Sequence, residues 1–238
     1  MGKIFLTGDT HCGSGLDHSK LNTKNFSQSD LTKEDYVIIL GDAGIIFTSY
    51  TNKSPFGISR DDQYWINWFN NKNFTTLFVD GNHENHPALA TFPVEEWHGG
   101  KVHKIADSVY HLMRGQVFTI DGKTFFTMGG AESIDRYSRK EGVDWWPEEI
   151  PSYEELNTGM ENLGKVNFQV NYVLTHCAPT TVAKYLTGDD RPNTITSFFE
   201  HLPKDFGLKF DRWFFGHYHQ DQTLGKFSCL YQNIIRLD

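Results

Sequence analysis

Five short stretches of the chain carry the residue types that hold divalent cations: Gly8-Asp9-Thr10-His11, Gly41-Asp42, Gly81-Asn82-His83-Glu84, His176, and Gly216-His217-Tyr218-His219. Carboxylate and amide oxygens mixed with imidazole nitrogens, with no thiolate required, suit two hard-to-borderline divalent ions. Two such ions sharing a carboxylate sit about 3.5–4 Å apart and clamp both the attacking and the leaving oxygen of an in-line displacement at phosphorus. The chemistry to expect is phosphoester hydrolysis. On extended backbone alternate residues point the same way, so Asp9-x-His11 and His217-x-His219 are each expected to turn both side chains toward one site. A single histidine of this set would more often be a hydrogen-bonded structural residue, and it is the five blocks together that point to ligands.

Each block follows an apolar run: Ile4-Phe5-Leu6, Val37-Ile38-Ile39-Leu40, Leu77-Phe78-Val79, Tyr172-Val173-Leu174 and Trp213-Phe214-Phe215. Read as strands, these deliver their polar residues at the carboxyl ends, where the binding crevice of an α/β sheet lies. In four of the five a glycine precedes the ligand and lets the strand ends crowd around one point. Between them the pattern alternates strand with helical periodicity, which predicts an α/β fold. Helices are expected over Ser59–Asn71 and Tyr153–Leu163. Ser108–Tyr110, Gly115–Ile120 and Lys123–Met128 read as antiparallel strands, the last two joined by an Asp121-Gly122 hairpin turn, and Gln222–Phe227 with Tyr231–Arg236 reads as a further meander. Loops are expected over Thr48–Ser59, Ala131–Pro151 and Thr187–Asn193.

The chain has 238 residues, 38% hydrophobic, 15% aromatic and 22% charged, the make-up of a packed domain and not of a disordered chain. Without an internal repeat or long linker, residues 1–238 read as one domain. The apolar runs fall far short of the roughly 20 residues that cross a bilayer, and no signal-peptide core follows the N-terminus, so a cytoplasmic protein without a membrane partner is expected. Cys12, Cys177 and Cys229 suit free thiols in a reducing compartment. A net charge of −8 argues against a broad nucleic-acid surface, which needs lysine and arginine set against phosphates.

Taken in order, the five blocks resemble the calcineurin-like metallophosphoesterase superfamily across Gly8 to His219. The resemblance implies two mixed β-sheets sandwiched between helices, a four-layer αββα arrangement. It implies one divalent metal on Asp9, His11, Asp42 and His219, and a second on Asp42, Asn82, His176 and His217, with Asp42 and a hydroxide bridging. Manganese is the leading metal, with iron, zinc, nickel or magnesium as alternatives. His83 matches the non-ligand histidine that contacts the phosphoryl or leaving oxygen, and Glu84 its acidic neighbour. The substrate so implied is a small phosphoester or nucleotide, cleaved as a monoester or a diester. Cys12 stands where glycine is common, and Ala43-Gly44 replaces the Asp-Arg-Gly expected after Gly-Asp in Ser/Thr protein phosphatases, which argues against that activity, while Gly-Asn-His-Glu is the variant those enzymes use. A protein-phosphatase-like enzyme and a non-catalytic binding scaffold of the same fold are the alternatives.

Other residues admit plainer readings. His18, His86, His98, His103, His111 and His201 read as surface or packing residues, with His86 the first exception to consider because it lies three residues beyond His83. Cys12 and Cys177 read as small apolar groups facing away from the ligands, and Asp61-Asp62 as charges placed at the positive end of a helix. The segment from Gly129 to Pro147 leaves a strand as the ligand blocks do. It offers Arg136 and Arg139 for a substrate phosphate and Trp145-Trp146 for stacking or packing.

Overall fold

The computed structural model describes residues 2–13, 15–189 and 191–237, so Asp190 in the 187–193 loop and the two terminal residues of the expected 1–238 domain lie outside the described residues. The strands are β1 (Ile4–Thr7), β2 (Tyr36–Leu40), β3 (Thr75–Val79), β4 (Val94–Trp97), β5 (Gly100–Ala106), β6 (Val109–Leu112), β7 (Gln116–Ile120), β8 (Lys123–Met128), β9 (Tyr172–Thr175), β10 (Arg212–Phe215), β11 (Gln222–Leu224), β12 (Phe227–Cys229) and β13 (Ile235–Leu237). Among the described residues they form a seven-stranded sheet ordered β13-β1-β2-β3-β6-β5-β4 and a six-stranded sheet ordered β11-β12-β10-β9-β8-β7. Both are mixed: β1, β2 and β3 run parallel, as do β8, β9 and β10, while the hairpins at the edges run antiparallel.

The period-2 alternation of the strands divides the core into three apolar layers. Leu6, Ile38, Leu40, Leu77 and Val79 of the first sheet meet Phe118, Phe125, Leu174 and Phe214 of the second in the space between the sheets. The opposite faces of β2 and β3, through Val37, Ile39 and Phe78, pack against Ile66 and Phe69 of helix α1 (Arg60–Asn70). Phe126, Met128, Val173, Trp213 and Phe215 pack on the outer side of the second sheet against Leu163 and against Ile195, Phe199 and Leu202. After the short α2 (His86–Leu89), the helices that cover this outer face are α3 (Tyr153–Lys165), which contains Leu163, α4 (Thr180–Thr187), and α5 (Thr194–Lys204), which contains the other three. The result is helix, sheet, sheet, helix, as the two-sheet α/β reading expects.

Local signals fix the helix ends. Ser59 caps α1 by accepting the Asp62 N–H at 3.0 Å, and Ser152 and Glu155 form a reciprocal capping box at α3. The Asp121-Gly122 turn between β7 and β8 has positive φ at both residues, as a two-residue hairpin requires.

Three expectations about the sheets are corrected. The stretch 108–128 is not one antiparallel meander: β6 joins the first sheet, parallel to β3 and antiparallel to β5, and only β7 and β8 enter the second. The chain changes sheets at Gly115, whose φ of +70° and contact with the Gly159 backbone leave no room for a side chain. The run Gln222–Phe227 is itself a hairpin that breaks at Gly225-Lys226, pairing β11 with β12. The last strand, β13, leaves that sheet and pairs antiparallel with β1 at the far edge of the first.

Candidate dinuclear metal centre

All five ligand-bearing blocks lie just past the carboxyl ends of β1, β2, β3, β9 and β10. Three of these strands are neighbours in one sheet and two in the other, so the blocks meet where the sheets face each other. Beyond the strands the loops interlock. The Thr10 and His11 amides donate to the Asp42 carbonyl at 3.0 and 2.9 Å, and the Gly216 amide donates to the His176 carbonyl at 2.9 Å. The Asp9 carboxylate takes the His217 N–H at 3.1 Å, and Asp42 Oδ1 takes the His83 N–H at 2.7 Å.

The backbone that aims the candidate ligands is not extended. Asp9, His11, Asp42, His217 and His219 have φ between +31° and +68°, in the left-handed region that side-chain-bearing residues rarely adopt. Both Asp-x-His and His-x-His therefore turn their side chains inward by tight left-handed turns instead of strand alternation, and the surrounding hydrogen bonds hold this costly backbone in place. Gly81 is required by close approach: a Cβ there would stand 2.1 Å from Asp42 Oδ1 and 2.8 Å from His176 Nε2.

The donor atoms converge in three overlapping groups, Asp9/His11/His219, His11/Asp42/His83 and Asp42/His176/His217, each with its atoms within 4.8 Å of one another. Asn82 Oδ1 lies 3.2 Å from His176 Nε2 and joins the last group. Asp42 connects them, with Oδ2 3.2 Å from His11 Nε2 and Oδ1 3.3 Å from His176 Nε2. This donor set of hard oxygens and imidazoles fits two divalent cations. The second nitrogen of two of these rings is engaged elsewhere, so Nε2 points at the centre: His176 Nδ1 donates to the Leu40 carbonyl at 2.7 Å, and His11 Nδ1 to Asp17 Oδ2 at 2.9 Å.

Electrostatics divide these candidate ligands into two kinds. Burial opposes charge on His11 and His176, but the Asp42 carboxylate overcomes it and holds them protonated up to about 9 and about 10. Against its own burial, Asp42 is held well below the usual carboxylate range by His176 and His11. Burial pushes His217 down to about 3 and lowers His219, so these two are neutral. Asp9 is pushed up to about 7 by burial, with the neighbouring Asp42 charge adding to it. Without metals, the centre is thus an internal ion-pair cluster that cations can displace.

His83 is half-buried at the edge of this cluster. Its ring lies 5.2 Å from that of His11 and stacks on Phe47 at 6.5 Å. Arg139 reaches it, with Nη2 3.1 Å from His83 Nε2, and is itself braced by Asp135 Oδ1 at 2.8 Å and the Asp144 carbonyl at 3.2 Å. Burial and the Arg139 charge lower the His83 pKa. Arg136 is not brought to the centre and pairs with Glu132 at 3.0 Å and the Tyr137 hydroxyl at 2.9 Å. Glu84 differs from the expectation that it acts beside His83. It is fully buried, its two oxygens take the Gly44 and Gly81 amides, and burial pushes it up to about 8. It fastens the loop after β2 to the loop after β3.

The remaining singled-out residues are structural in placement. Cys12 and Cys177 are buried in the outer apolar layers, with burial pushing both thiols up. His86 lies 3.7 Å from Asp80, and His111 Nε2 donates to the same carboxylate at 3.0 Å. Asp62 does more than sit at a helix start: it is buried and accepts the Phe47, Thr48 and Ser49 amides, which fixes the segment that carries Phe47 under His83. Trp146 is buried against Phe47 at 5.5 Å.

Several participants carried no signal. Asp17, which orients His11, follows it by six residues at the start of a short 3-10 helix, Asp17–Leu21. Tyr231 donates to Asp17 Oδ1 at 2.8 Å and stacks on His219 at 4.6 Å, yet lies beyond the last ligand block. Lys20 is buried and donates to the Gly8, Asp9 and Tyr231 carbonyls. Asn82 Nδ2 donates to Ser133 Oγ at 3.1 Å.

A model of the calcineurin-like phosphoesterase family matches residues 2–221. Among solved structures, the chain is similar to the phosphopantetheinyl hydrolase from Mycobacterium tuberculosis, at 13% identity and a TM-score of 0.45 over 95% of this chain and 88% of that one. No curated protein sequence matches significantly. No helix among the described residues is long and apolar enough to cross a membrane.

Proposed function

The chain belongs to the calcineurin-like phosphoesterase family, a superfamily of dinuclear metal hydrolases, and is a hydrolase of phosphoesters; we propose that it cleaves a small phosphoester, such as a nucleotide, at two divalent cations, with manganese the leading candidate. Asp9, His11, Asp42 and His219 would hold one ion, and Asp42, Asn82, His176 and His217 the other. When bound, the pair supplies positive charge against the phosphoryl oxygens and lowers the pKa of water for in-line attack.

The chain's own residues supply the rest. Asp42 lies between the two ligand groups and sets the distance across the centre. Arg139 can grip a phosphoryl oxygen with its fork while Asp135 and the Asp144 carbonyl keep the fork in place. His83, anchored through its backbone N–H to Asp42, accepts from Arg139 at Nε2 in this structure, and it would donate a proton to the departing oxygen or to a phosphoryl oxygen once Arg139 turns onto the phosphate. Phe47, backed by Trp146, excludes water from one face of that imidazole.

The observation that carries this reading is the placement of Arg139 on His83, directly beside the donor cluster. Seven ligand side chains alone would describe a metal store, whereas a cation and an acid–base group set at the edge of the cluster describe a place for a phosphoryl group. The test is a panel assay of one manganese-loaded sample against phosphomonoesters, linear diesters, cyclic nucleotides and a phosphopeptide. The reading expects turnover on a small-molecule class, and turnover confined to the phosphopeptide would replace it with the protein-phosphatase alternative.

A further inference from the structure

The segment after β8 runs from Gly129 to Pro151, and its first polar residues reach the centre by a route separate from Arg139. Ser133 Oγ accepts from Asn82 Nδ2 at 3.1 Å and donates to Glu149 Oε2 at 2.5 Å, while the Ser133 amide donates to Glu149 Oε1 at 2.9 Å. Asn82, Ser133 and Glu149 are all buried, with 5%, 3% and 1% of their surface exposed. We propose that Ser133 and Glu149 are positioning residues that fix which end of the Asn82 amide faces the second metal site, and that they thereby couple this site to the loop carrying Arg139. This inference rests on the dinuclear reading above.

Hydrogen-bond direction fixes the orientation of the amide. An ionised carboxylate only accepts, so Glu149 obliges the Ser133 hydroxyl to donate to it. The serine oxygen then faces Asn82 with a lone pair and can only accept, which selects the NH₂ end of the amide. Asn82 Oδ1 is left pointing at the ligand cluster, 3.2 Å from His176 Nε2. A flipped amide would set its oxygen against the serine lone pair and turn its NH₂ toward the cation, both unfavourable in a buried site.

A second tie runs parallel to the first. Arg114 binds Asp80 Oδ2 through Nε at 2.8 Å and Nη2 at 2.5 Å, and donates to the Glu148 carbonyl at 2.8 Å. Asp80 lies two residues before Asn82, and Glu148 one before Glu149. The segment that bears Arg139 is therefore fastened at Ser133 and at Glu148–Glu149 to the loop that supplies Asn82. Loss of the amide orientation weakens the cation, and the cation in turn stabilises the loop geometry that aims Arg139.

The test is a calorimetric Mn²⁺ titration of the full chain and of Ser133→Ala, Ser133→Thr and Glu149→Gln, each with its melting temperature. The two sites are told apart by His217→Ala, which removes a ligand of the second, and His219→Ala, which removes one of the first. Ser133→Ala is expected to weaken the second equivalent by about 10–100-fold, the usual cost of losing an outer-shell partner, and to leave the first within about threefold. Ser133→Thr keeps the hydroxyl and restores the affinity. Glu149→Gln keeps the shape but lets its NH₂ donate to Ser133, which reverses the relay, so it is expected to weaken the second equivalent as the alanine does. Equal affinities in all variants overturn the inference, as does weakening of both sites in step with melting temperature, the result of a merely structural staple. A native chain that takes up no Mn²⁺ overturns the metal-centre reading itself and this inference with it.

Discussion

Metal uptake by this centre should be tied to proton release. In the metal-free chain Asp42 holds His11 and His176 protonated up to about 9 and about 10, and burial keeps Asp9 protonated up to about 7. An imidazolium cannot ligate, so each ion must displace one such proton near neutral pH. At pH 8 the free-base fraction is about a tenth for His11 and about a hundredth for His176, from tenfold per unit of pKa difference. Raising the pH removes the competing proton, so affinity rises. The expected slope is about tenfold per pH unit for the first site between pH 7 and 9, becoming steeper below pH 7 where Asp9 also binds a proton, and about tenfold per unit for the second up to pH 10. Calorimetry of Mn²⁺ binding at neutral pH in two buffers of different ionisation enthalpy counts the protons directly, with about two expected for the filled pair. Binding with no proton release and a flat affinity across this range would refute the ion-pair picture of the empty site.

The metal-free chain should lose stability as pH rises from 6 to 10: the ionisation penalties of Asp9 and Glu84 set in through about 7 and about 8, and the stabilisation from charged His11 and His176 is lost through about 9 and about 10, so melting temperature should fall with pH without metal and much less with Mn²⁺. His83→Ala should keep both metals, by elemental analysis, and lose about 10²–10⁴ in turnover on esters with alkyl or ribose leaving groups, but little on nitrophenyl esters if it protonates the leaving oxygen; equal losses on both would assign it to the phosphoryl group, and unimpaired turnover would remove it from the mechanism. Arg139→Ala should raise KM by more than it lowers kcat, while Arg136→Ala, whose guanidinium faces Glu132 and Tyr137, should leave both unchanged; steady-state kinetics showing the reverse ranking would move the substrate to the outer face of the loop.

What the amino-acid sequence makes legible is what local chemistry decides. The runs that become β1, β2, β3, β9 and β10 are apolar because both faces of these strands are buried, and each stops where polar ligands begin, so strand and site can be read together. Sheet membership is not local. Nothing in Val109–Leu112 says that it pairs with β3 and β5 instead of β7, and Ile235–Leu237 finds its partner β1 across the whole chain. The strand Val94–Trp97 escapes notice because Glu95 and Glu96 are exposed at the sheet edge and leave no alternation to see. The left-handed backbone at Asp9, His11, Asp42, His217 and His219 is hidden because those residue types do not demand it; the hydrogen bonds between loops impose it. Asp17, Tyr231 and Ser133 each stand alone outside the five blocks, and a single polar residue has no spacing by which to be recognised.

The most direct test is a chelated and reconstituted sample, assayed for phosphoester hydrolysis against metal content determined on the same preparation, beside Asp42→Asn. Hydrolysis should vanish with the metal and return as two equivalents bind, and the variant, which loses the carboxylate between both ligand groups, should fail to hold two equivalents and fail to recover. Hydrolysis by a sample shown to be metal-free, or two full equivalents and full activity in Asp42→Asn, would contradict the account.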